Sequence, residues 1–187
     1  MNTKFLAIDF ETANYSRESA CSIGIVRVEN NKIVHKAVHL IKPPSREFIF
    51  TYIHGISWSD VKNAPTFKEV WKDIAPYFEG IDFLAAHNAK FDASVLKSCC
   101  SVYGITPPSV AIVCSMEIAR KTWNLYPTKL SDVCSHLKIK LNHHEALSDA
   151  HACAQIVIAS KALATPNVAA TKIAVKRKPS SPSHAPV

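Results

Sequence analysis

The chain has 187 residues, of which 48% are hydrophobic, so it is long enough for one globular domain with a substantial core. No stretch approaches the roughly 20 apolar residues of a membrane-spanning helix, and an apolar strand begins too early to leave room for a signal peptide. The formal net charge of +7 favours a polyanionic partner such as a nucleic acid, although many other partners suit a basic protein.

The first part of the chain predicts three β-strands. Residues 3–10 form an apolar run typical of a buried central strand. Two further β-rich runs, residues 21–28 and 32–41, meet at Asn30-Asn31, and Asn tolerates the positive φ that a tight hairpin turn requires. We therefore expect an antiparallel three-strand meander.

Helices alternate with short strands in the rest of the chain, after an unassigned stretch at residues 45–64. Thr66 begins a helix, because Glu69 three residues later completes a capping-box pattern. The remaining predicted elements are a strand at 81–86, a helix that ends before Gly104, a buried strand at 110–114, a helix capped by Ser115, a helix near 130–137 and a last helix at 145–163. This order predicts a mixed α/β domain with helices packed on the sheet.

Residues 165–187 contain Pro, Ser, Lys and Ala without apolar periodicity, so we expect a disordered tail after a folded domain at residues 1–164. The tail holds four basic residues and no acid, which leaves a net charge of +3 on the domain. The run Lys176-Arg177-Lys178 could contact nucleic acid or act as a localisation signal. We favour a solvated tail without a specific role.

The six cysteines lie in apolar segments and lack the Cys-x-x-Cys spacing of metal sites. Cys99 and Cys100 are adjacent, which makes them poor candidates for a disulfide. This pattern indicates reduced core thiols in a cytoplasmic protein.

Two acids at the end of the first strand are the first candidates for chemistry. Side chains alternate along a strand, so Asp9 and Glu11 point to the same face. Two carboxylates that close repel each other, and a hard divalent cation between them removes the repulsion. A solvated strand end explains an isolated pair equally well, so the metal hypothesis depends on further acids.

Two such acids follow. Asp92 comes just after the predicted strand at 81–86, where α/β sheets present their ligand groups. Asp149 lies in the first turns of the last helix, on the flank of its small-residue stripe, and therefore faces the edge of the sheet. An unpaired carboxylate there is unfavourable unless a metal ion binds it.

His144 precedes the last helix, where its ring can reach the same site. A neutral imidazole beside metal ions suits a general base that deprotonates water. The alternative is an exposed loop histidine, and this is the interpretation we adopt for the neighbouring His143 and His151.

Taken together, these residues resemble the DEDDh family of 3′–5′ exonucleases, and within it the proofreading epsilon subunit of bacterial DNA polymerase III and its stand-alone relatives. The resemblance covers residues 3–162 and rests on three motifs: Ile-Asp-Phe-Glu-Thr at 8–12, His-Asn-Ala-Lys-Phe-Asp at 87–92, and the His-x(4)-Asp spacing of His144 and Asp149. The sister pattern Tyr-x(3)-Asp is excluded, because Glu145 occupies the tyrosine position.

The resemblance implies a ribonuclease H-like fold and two divalent metal ions, Mg²⁺ or Mn²⁺, in the catalytic site. Asp9 would bridge the ions, while Glu11 and Asp149 complete the site of the ion that carries the attacking water. Asp92 would support the second ion directly or through water, and His144 would accept the proton of the water. The product would be a nucleoside 5′-monophosphate, released from the 3′ end of single-stranded DNA.

The resemblance also gives six candidates for substrate binding: Phe10, Thr12, Ile53, His54, Asn88 and Phe91. Thr12 would hold the terminal nucleotide through its backbone, and Ile53 and His54 would line the pocket. Phe91 would pack against the terminal sugar or base. Asn88 would fix the loop that presents Asp92. A purely structural role is the alternative for Ile53, His54 and Phe91.

Two other functions remain open from the sequence. The first is a 3′–5′ exoribonuclease of the same family, similar to ribonuclease T and oligoribonuclease. The second is a non-catalytic nucleic-acid-binding or polymerase-associated module, for which the four acids and the histidine would be unnecessary. No glutamine-led clamp-binding motif follows Leu163, so we expect a stand-alone bacterial repair or turnover nuclease, as a monomer or a dimer.

Overall fold

The computed structural model describes residues 3–164, and the predicted tail at 165–187 lies outside the described residues. One five-stranded mixed sheet forms the centre of the molecule, in the order β3-β2-β1-β4-β5. Its strands are β1 (Lys4–Thr12), β2 (Ala20–Glu29), β3 (Lys32–Leu40), β4 (Phe83–Ala86) and β5 (Ala111–Cys114). The first three strands are antiparallel, and β4 and β5 run parallel to β1, which confirms the mixed sheet expected from the sequence.

Within residues 3–164, seven α-helices pack around this sheet: α1 (Thr51–His54), α2 (Trp58–Val61), α3 (Phe67–Ile74), α4 (Ala89–Val102), α5 (Ser115–Trp123), α6 (Leu130–Leu137) and α7 (Ala146–Ala164). A 3₁₀ turn at Ala75–Phe78 follows α3. The capping box of Thr66 and Glu69 begins α3 as predicted. In the part of the chain that the structure describes, none of the helices combines the length and hydropathy needed to cross a bilayer.

The alternation of side chains along β1 builds two cores, one on each face of the sheet. Leu6 and Ile8 face α3 and α4, whereas Phe5 and Ala7 face α7. The β2–β3 hairpin turns at Asn30 and Asn31 with φ of 53° and 61°, as their residue type predicts.

Gly24 on β2 is the point at which α7 meets the sheet. It pairs with Asp9 across the β1–β2 ladder. A Cβ at this position would lie 2.6 Å from the backbone nitrogen of Leu147 and closer still to the carbonyl of Ala146. The start of α7 therefore rests directly on the backbone of β2, which only glycine permits here.

Three expectations differ from the structure. The strand at 110–114 is not buried: β5 is a partly exposed edge strand, because no other described strand pairs with its outer side. Ser115 does not cap α5; it is the first helical residue, after the N-cap Cys114. The unassigned stretch contains α1 and α2, which have four residues each.

All six cysteines are free and lie in the described part of the chain. Cys21, Cys99, Cys100, Cys134 and Cys153 are buried in the core, in agreement with their apolar surroundings in the sequence. Cys114, on the edge strand β5, is half-buried.

Candidate active site

A cavity of about 290 Å³ opens where β1 ends, between α1, α4 and the segment before α7. It is lined by Asp9, Phe10, Glu11, Thr12, Phe50, Ile53, His54, Phe91, His143, His144 and Asp149. Four of the five predicted catalytic residues and five of the six predicted substrate contacts therefore lie around one cavity.

Three acids converge in this cavity. β1 extends to Thr12, so Asp9 and Glu11 both lie within the strand and project toward α7. Asp149 projects from the first turn of α7, and one carboxylate oxygen from each of the three residues lies within 4.8 Å of the others. Glu11 and Asp149 are largely withdrawn from water, at 9% and 4% exposed, and Asp9 is half-buried.

Burial and mutual repulsion raise the pKa values of these carboxyl groups. The pKa of Asp9 lies well above its usual value, first because of burial and then because of the charges of Asp92, Asp149 and Glu11. For Glu11, burial and then Asp149 and Asp92 raise the pKa to about 8. Such a group of acids therefore either holds protons or binds a cation.

The two oxygens of Asp149 have different surroundings. Oδ2 accepts a hydrogen bond from Nδ1 of His143 at 2.9 Å and from the backbone N–H of His144 at 3.2 Å. Oδ1 is buried and has no hydrogen-bond partner among the described residues. A buried carboxylate oxygen without a partner is unfavourable, so this atom fits a cation ligand.

Asp92 is adjacent to the cavity but does not line it. Only 1% exposed in the first turn of α4, it accepts a hydrogen bond from the backbone N–H of Phe10 at 3.1 Å, through Oδ1. Burial raises its pKa to about 8, although this hydrogen bond opposes the shift. Asp92 thus ties α4 to β1, and its assignment as a metal ligand stays a prediction.

His144 lies at the mouth of the cavity on an exposed turn, with φ of 67°. Its ring stacks on that of His143, with centroids 3.8 Å apart and an angle of 16° between the planes. Burial and the neighbouring His143 lower the pKa of His144, and Asp149 opposes this shift. The lowered pKa leaves the ring neutral at pH 7.

The sequence predicts that His143 is an exposed loop histidine, and it does lie exposed in a turn, but its contact with Asp149 is not predicted. The structure places its ring on Asp149 and against His144, although the side chain itself is exposed. The one signal available in the sequence was the pair of consecutive histidines before the last helix, because the motif spacing selects only the second of them.

His54 connects α1 to the end of β1. Its Nδ1 accepts the backbone N–H of Ile56 at 3.1 Å, so Nε2 carries the proton and donates it to the carbonyl of Thr12 at 3.1 Å. Burial lowers the pKa of this imidazole and keeps it neutral. The carbonyl of Thr12 is thus already engaged within the protein.

The other predicted substrate contacts separate into two groups. Ile53, 37% exposed, and Phe91 line the cavity, and the guanidinium of Arg17 lies 4.7 Å from the ring centre of Phe91. Phe10 is different: its ring is 3% exposed, in the core beside Phe67, although the residue borders the cavity. Asn88 is exposed, occupies the N-cap of α4 with φ of 63°, and lines another cavity.

A buried hydrogen-bond network supports the segment that carries Asn88 and Asp92. Nε2 of His87 donates to the carbonyl of Thr128 at 3.0 Å, and Nδ1 accepts from the hydroxyl of Ser115 at 2.8 Å.

The sequence profile of the RNase_T exonuclease family matches residues 6–157. Among curated relatives, the chain is 34% identical over 161 residues to the PolC-type DNA polymerase III of Caldanaerobacter subterraneus, covering 83% of the chain but only 11% of that polymerase. It is also 28% identical over 173 residues to the epsilon subunit of DNA polymerase III from Escherichia coli, with 84% of the chain and 71% of the subunit covered.

The structure of exonuclease X in complex with 5′ overhanging duplex DNA is similar to the chain, with a TM-score of 0.69 and 25% identity. The match covers 85% of the chain and 92% of exonuclease X. The family match covers most of the chain, and the fold agrees with it. The protein therefore belongs to the RNase_T exonuclease family and has a ribonuclease H-like fold.

Proposed function

We propose that the protein is a metal-dependent 3′–5′ exonuclease that removes nucleoside 5′-monophosphates from the 3′ ends of single-stranded DNA. The main support is that the carboxylates of Asp9, Glu11 and Asp149 converge beside the exposed imidazole of His144. In addition, Oδ1 of Asp149 has no hydrogen-bond partner among the described residues. DNA is favoured over RNA because relatives in the family are DNA polymerase subunits and the similar exonuclease X structure contains DNA.

The donor set suits a hard divalent cation. Carboxylate oxygens are the ligands that Mg²⁺ and Mn²⁺ prefer, and the raised pKa values show that the acids lack compensation within the protein. Asp9, Glu11 and Asp149 would hold one ion, and Asp92 would support a second together with Asp9. When bound, such ions neutralise charge on the scissile phosphate and acidify water.

Proton transfer and contact with the terminal nucleotide would be performed by side chains around the cavity. His144, neutral at pH 7, would accept the proton of the attacking water, because its ring stands at the cavity mouth next to Asp149. Phe91 and Ile53 would contact the terminal nucleotide through apolar surface, which binds bases without reading their sequence.

The experiment that tests the proposal is degradation of matched 5′-labelled single-stranded DNA and RNA oligomers with Mg²⁺, with Mn²⁺ and with EDTA. We expect a ladder that shortens from the 3′ end, requires metal and is faster on DNA. Asp9→Ala, run in parallel, should abolish the ladder while keeping the circular dichroism spectrum of the wild type. Equal cleavage by Asp9→Ala would overturn the metal site, and faster RNA cleavage would overturn the substrate assignment.

His144→Ala tests the general base separately. We expect a loss of about 10²–10⁴-fold in the single-turnover rate, since this is the usual contribution of general-base catalysis. Mn²⁺ binding, measured by calorimetry, should persist because the three carboxylates remain. His151→Ala is the matched control, since His151 lies outside the cavity lining. A wild-type rate in His144→Ala would remove the histidine from the mechanism.

A further inference from the structure

His143 has no task in the proposed hydrolysis, yet its ring is held in a defined place. It stacks on His144 with a centroid distance of 3.8 Å and bonds to Asp149 through Nδ1. One nitrogen from each ring and one carboxylate oxygen of Asp149 lie within 4.8 Å of one another. Both rings are exposed, so an ion could reach them directly from solvent.

We propose that His143, His144 and Asp149 form a binding site for Zn²⁺, separate from the all-carboxylate site but sharing Asp149 with it. Two imidazoles and one carboxylate are a ligand set that zinc takes in proteins, with a fourth position left for water. Mg²⁺ does not favour this set, because it prefers oxygen ligands and keeps much of its hydration. The two sites should therefore select different ions, Zn²⁺ at the histidines and Mg²⁺ at the carboxylates.

The distances agree with this assignment. Nδ1 of His143 lies 2.9 Å from Oδ2 of Asp149. Two ligands of a tetrahedral zinc ion, at bond lengths of about 2.0–2.1 Å, stand about 3.3 Å apart. A small opening of the hydrogen bond admits the ion, and Nδ1 gives up to solvent the proton that it donates to Asp149. The two rings are stacked nearly parallel, so one of them rotates about its side-chain bonds before both direct a nitrogen at the same ion, and the exposure of both rings permits this.

A second observation points to a cation at Asp149. Its side chain is 4% exposed, and Oδ1 has no hydrogen-bond partner among residues 3–164. The hydrogen bonds to Oδ2 therefore leave the carboxylate incompletely satisfied by the protein. Zinc bound by the carboxylate of Asp149 would supply the compensating charge beside His143.

The shared ligand gives the site a consequence for activity, which rests on the proposed function. Zinc at this site would occupy Asp149 and the ring of His144 together. It would thereby withdraw one ligand from the all-carboxylate site and also the general base. The chain would then be inhibited by zinc in the presence of Mg²⁺, through antagonism between two ions that need the same aspartate.

Calorimetric titration of the full chain with Zn²⁺ tests the site without reference to activity. His143→Gln is the decisive variant, because its amide can still donate a hydrogen bond to Asp149 but is a poor zinc ligand. We expect at least a tenfold loss of zinc affinity, since even residues that only support a ligand contribute about 10–100-fold. His136→Gln, an exposed histidine outside the site, is the matched control and should bind zinc like the wild type.

Asp9→Asn distinguishes the two sites, since it removes a ligand of the carboxylate site alone. This variant should keep most of the zinc affinity, and Co²⁺ titration should retain the visible absorption of a tetrahedral ion. Unchanged zinc affinity in His143→Gln would overturn the proposal. So would loss of zinc binding in Asp9→Asn with retention in His143→Gln, which would place the ion among the carboxylates.

Hydrolysis of labelled DNA in Mg²⁺ with increasing Zn²⁺ tests the inhibition. The wild type should lose activity, and His143→Gln should need at least about tenfold more zinc for the same loss. Equal sensitivity of the two proteins would overturn the inhibitory role. If neither protein cleaves DNA in Mg²⁺ alone, the proposed function fails, and calorimetry still decides whether the zinc site exists.

Discussion

At the scale of single residues, the alternation along β1 sends the acidic side chains to the cavity and the aromatic side chain between them to the core. Asp9 and Glu11 project into the cavity, whereas Phe10 between them projects into the core beside Phe67. The sequence predicted this alternation for the two acids. The resemblance nevertheless placed Phe10 among the substrate contacts, where its buried ring can take part only through the backbone.

Phe10 and Phe91 should therefore respond differently to truncation. Phe10→Ala should lower the free energy of unfolding by about 3–5 kcal/mol, because it empties a volume in the core. Phe91→Ala should instead weaken oligonucleotide binding by about 1–3 kcal/mol, the usual contribution of one base stacked on an aromatic ring. Thermal melts and KM values measure the two effects. A larger KM change in Phe10→Ala than in Phe91→Ala would contradict this division.

The contacts of the histidines could not be predicted from the sequence. The spacing of His144 and Asp149 identified one imidazole of the site, but the contact between His143 and Asp149 depends on the left-handed turn at His144. Spacing along the chain does not specify such a turn in a non-glycine residue. In the same way, the bond between His54 and Thr12 joins residues 42 positions apart.

At the scale of elements, the position of the site depends on how α7 rests on β2. The sequence predicted α7 to within one residue at each end, and the structure adds that Gly24 is the contact point. A lone glycine inside a strand often marks a close backbone approach, so a signal was present. Its partner could not be named, because that depends on the packing of the whole sheet.

Gly24→Ala should destabilise the protein and disturb the site together. The new Cβ would collide with the backbone of Ala146 and Leu147, which cannot rotate away as a side chain could. We expect a loss of about 1–3 kcal/mol in the free energy of unfolding and weaker Mn²⁺ binding, because α7 carries Asp149. Denaturant unfolding and calorimetry measure these quantities.

Ser22→Ala is the matched control for this prediction, because Ser22 lies on the same face of β2 and the substitution adds no atoms. A Gly24→Ala protein with the stability and Mn²⁺ affinity of the wild type would show that α7 is not held by this contact.

The elements that the sequence described poorly are the shortest ones. β5 has four residues, and an apolar run of that length is compatible with a central or an edge strand. Its exposure depends on whether another strand covers it. α1 and α2, with four residues each, are too short to show helical periodicity, and they depend on contacts with the rest of the fold.

At the scale of the whole molecule, a basic protein encloses a group of buried and half-buried acids. The formal net charge is +7, yet Asp9, Glu11, Asp92 and Asp149 all have raised pKa values. The positive surroundings do not compensate them, since burial is the largest cause of each shift. The stability of the metal-free protein must therefore depend on pH.

In EDTA, the melting temperature should fall as the pH rises from 6.5 to 8. The pKa of Glu11 is about 8 in the folded protein and 4.5 in its ordinary state, so the folded chain holds a proton that the unfolded chain releases. Each such carboxyl decreases stability by up to about 1.4 kcal/mol per pH unit in this window. Histidines with lowered pKa values, such as His54, oppose this trend near pH 6.5, where the unfolded imidazole is still partly protonated, and stop opposing it toward pH 8.

Mg²⁺ should raise the melting temperature more at pH 8 than at pH 6.5, because it replaces the protons on the acids. Glu11→Gln is the control and should show a shallower dependence in EDTA. Thermal melts across this pH range measure both effects. A melting temperature that increases with pH in EDTA would show that the acids are compensated within the protein.

The buried thiols make the opening of the core measurable through their rate of chemical modification. Burial raises the pKa to about 11 for Cys100 and Cys134 and to about 12 for Cys21 and Cys99. Alkylating agents and oxidants attack the thiolate, so these sulfurs react only after the sheet and helices separate. Cys114, at the edge of the sheet, is more accessible in the intact protein. The rate at which the other five become modified thus reports how often the centre of the molecule opens.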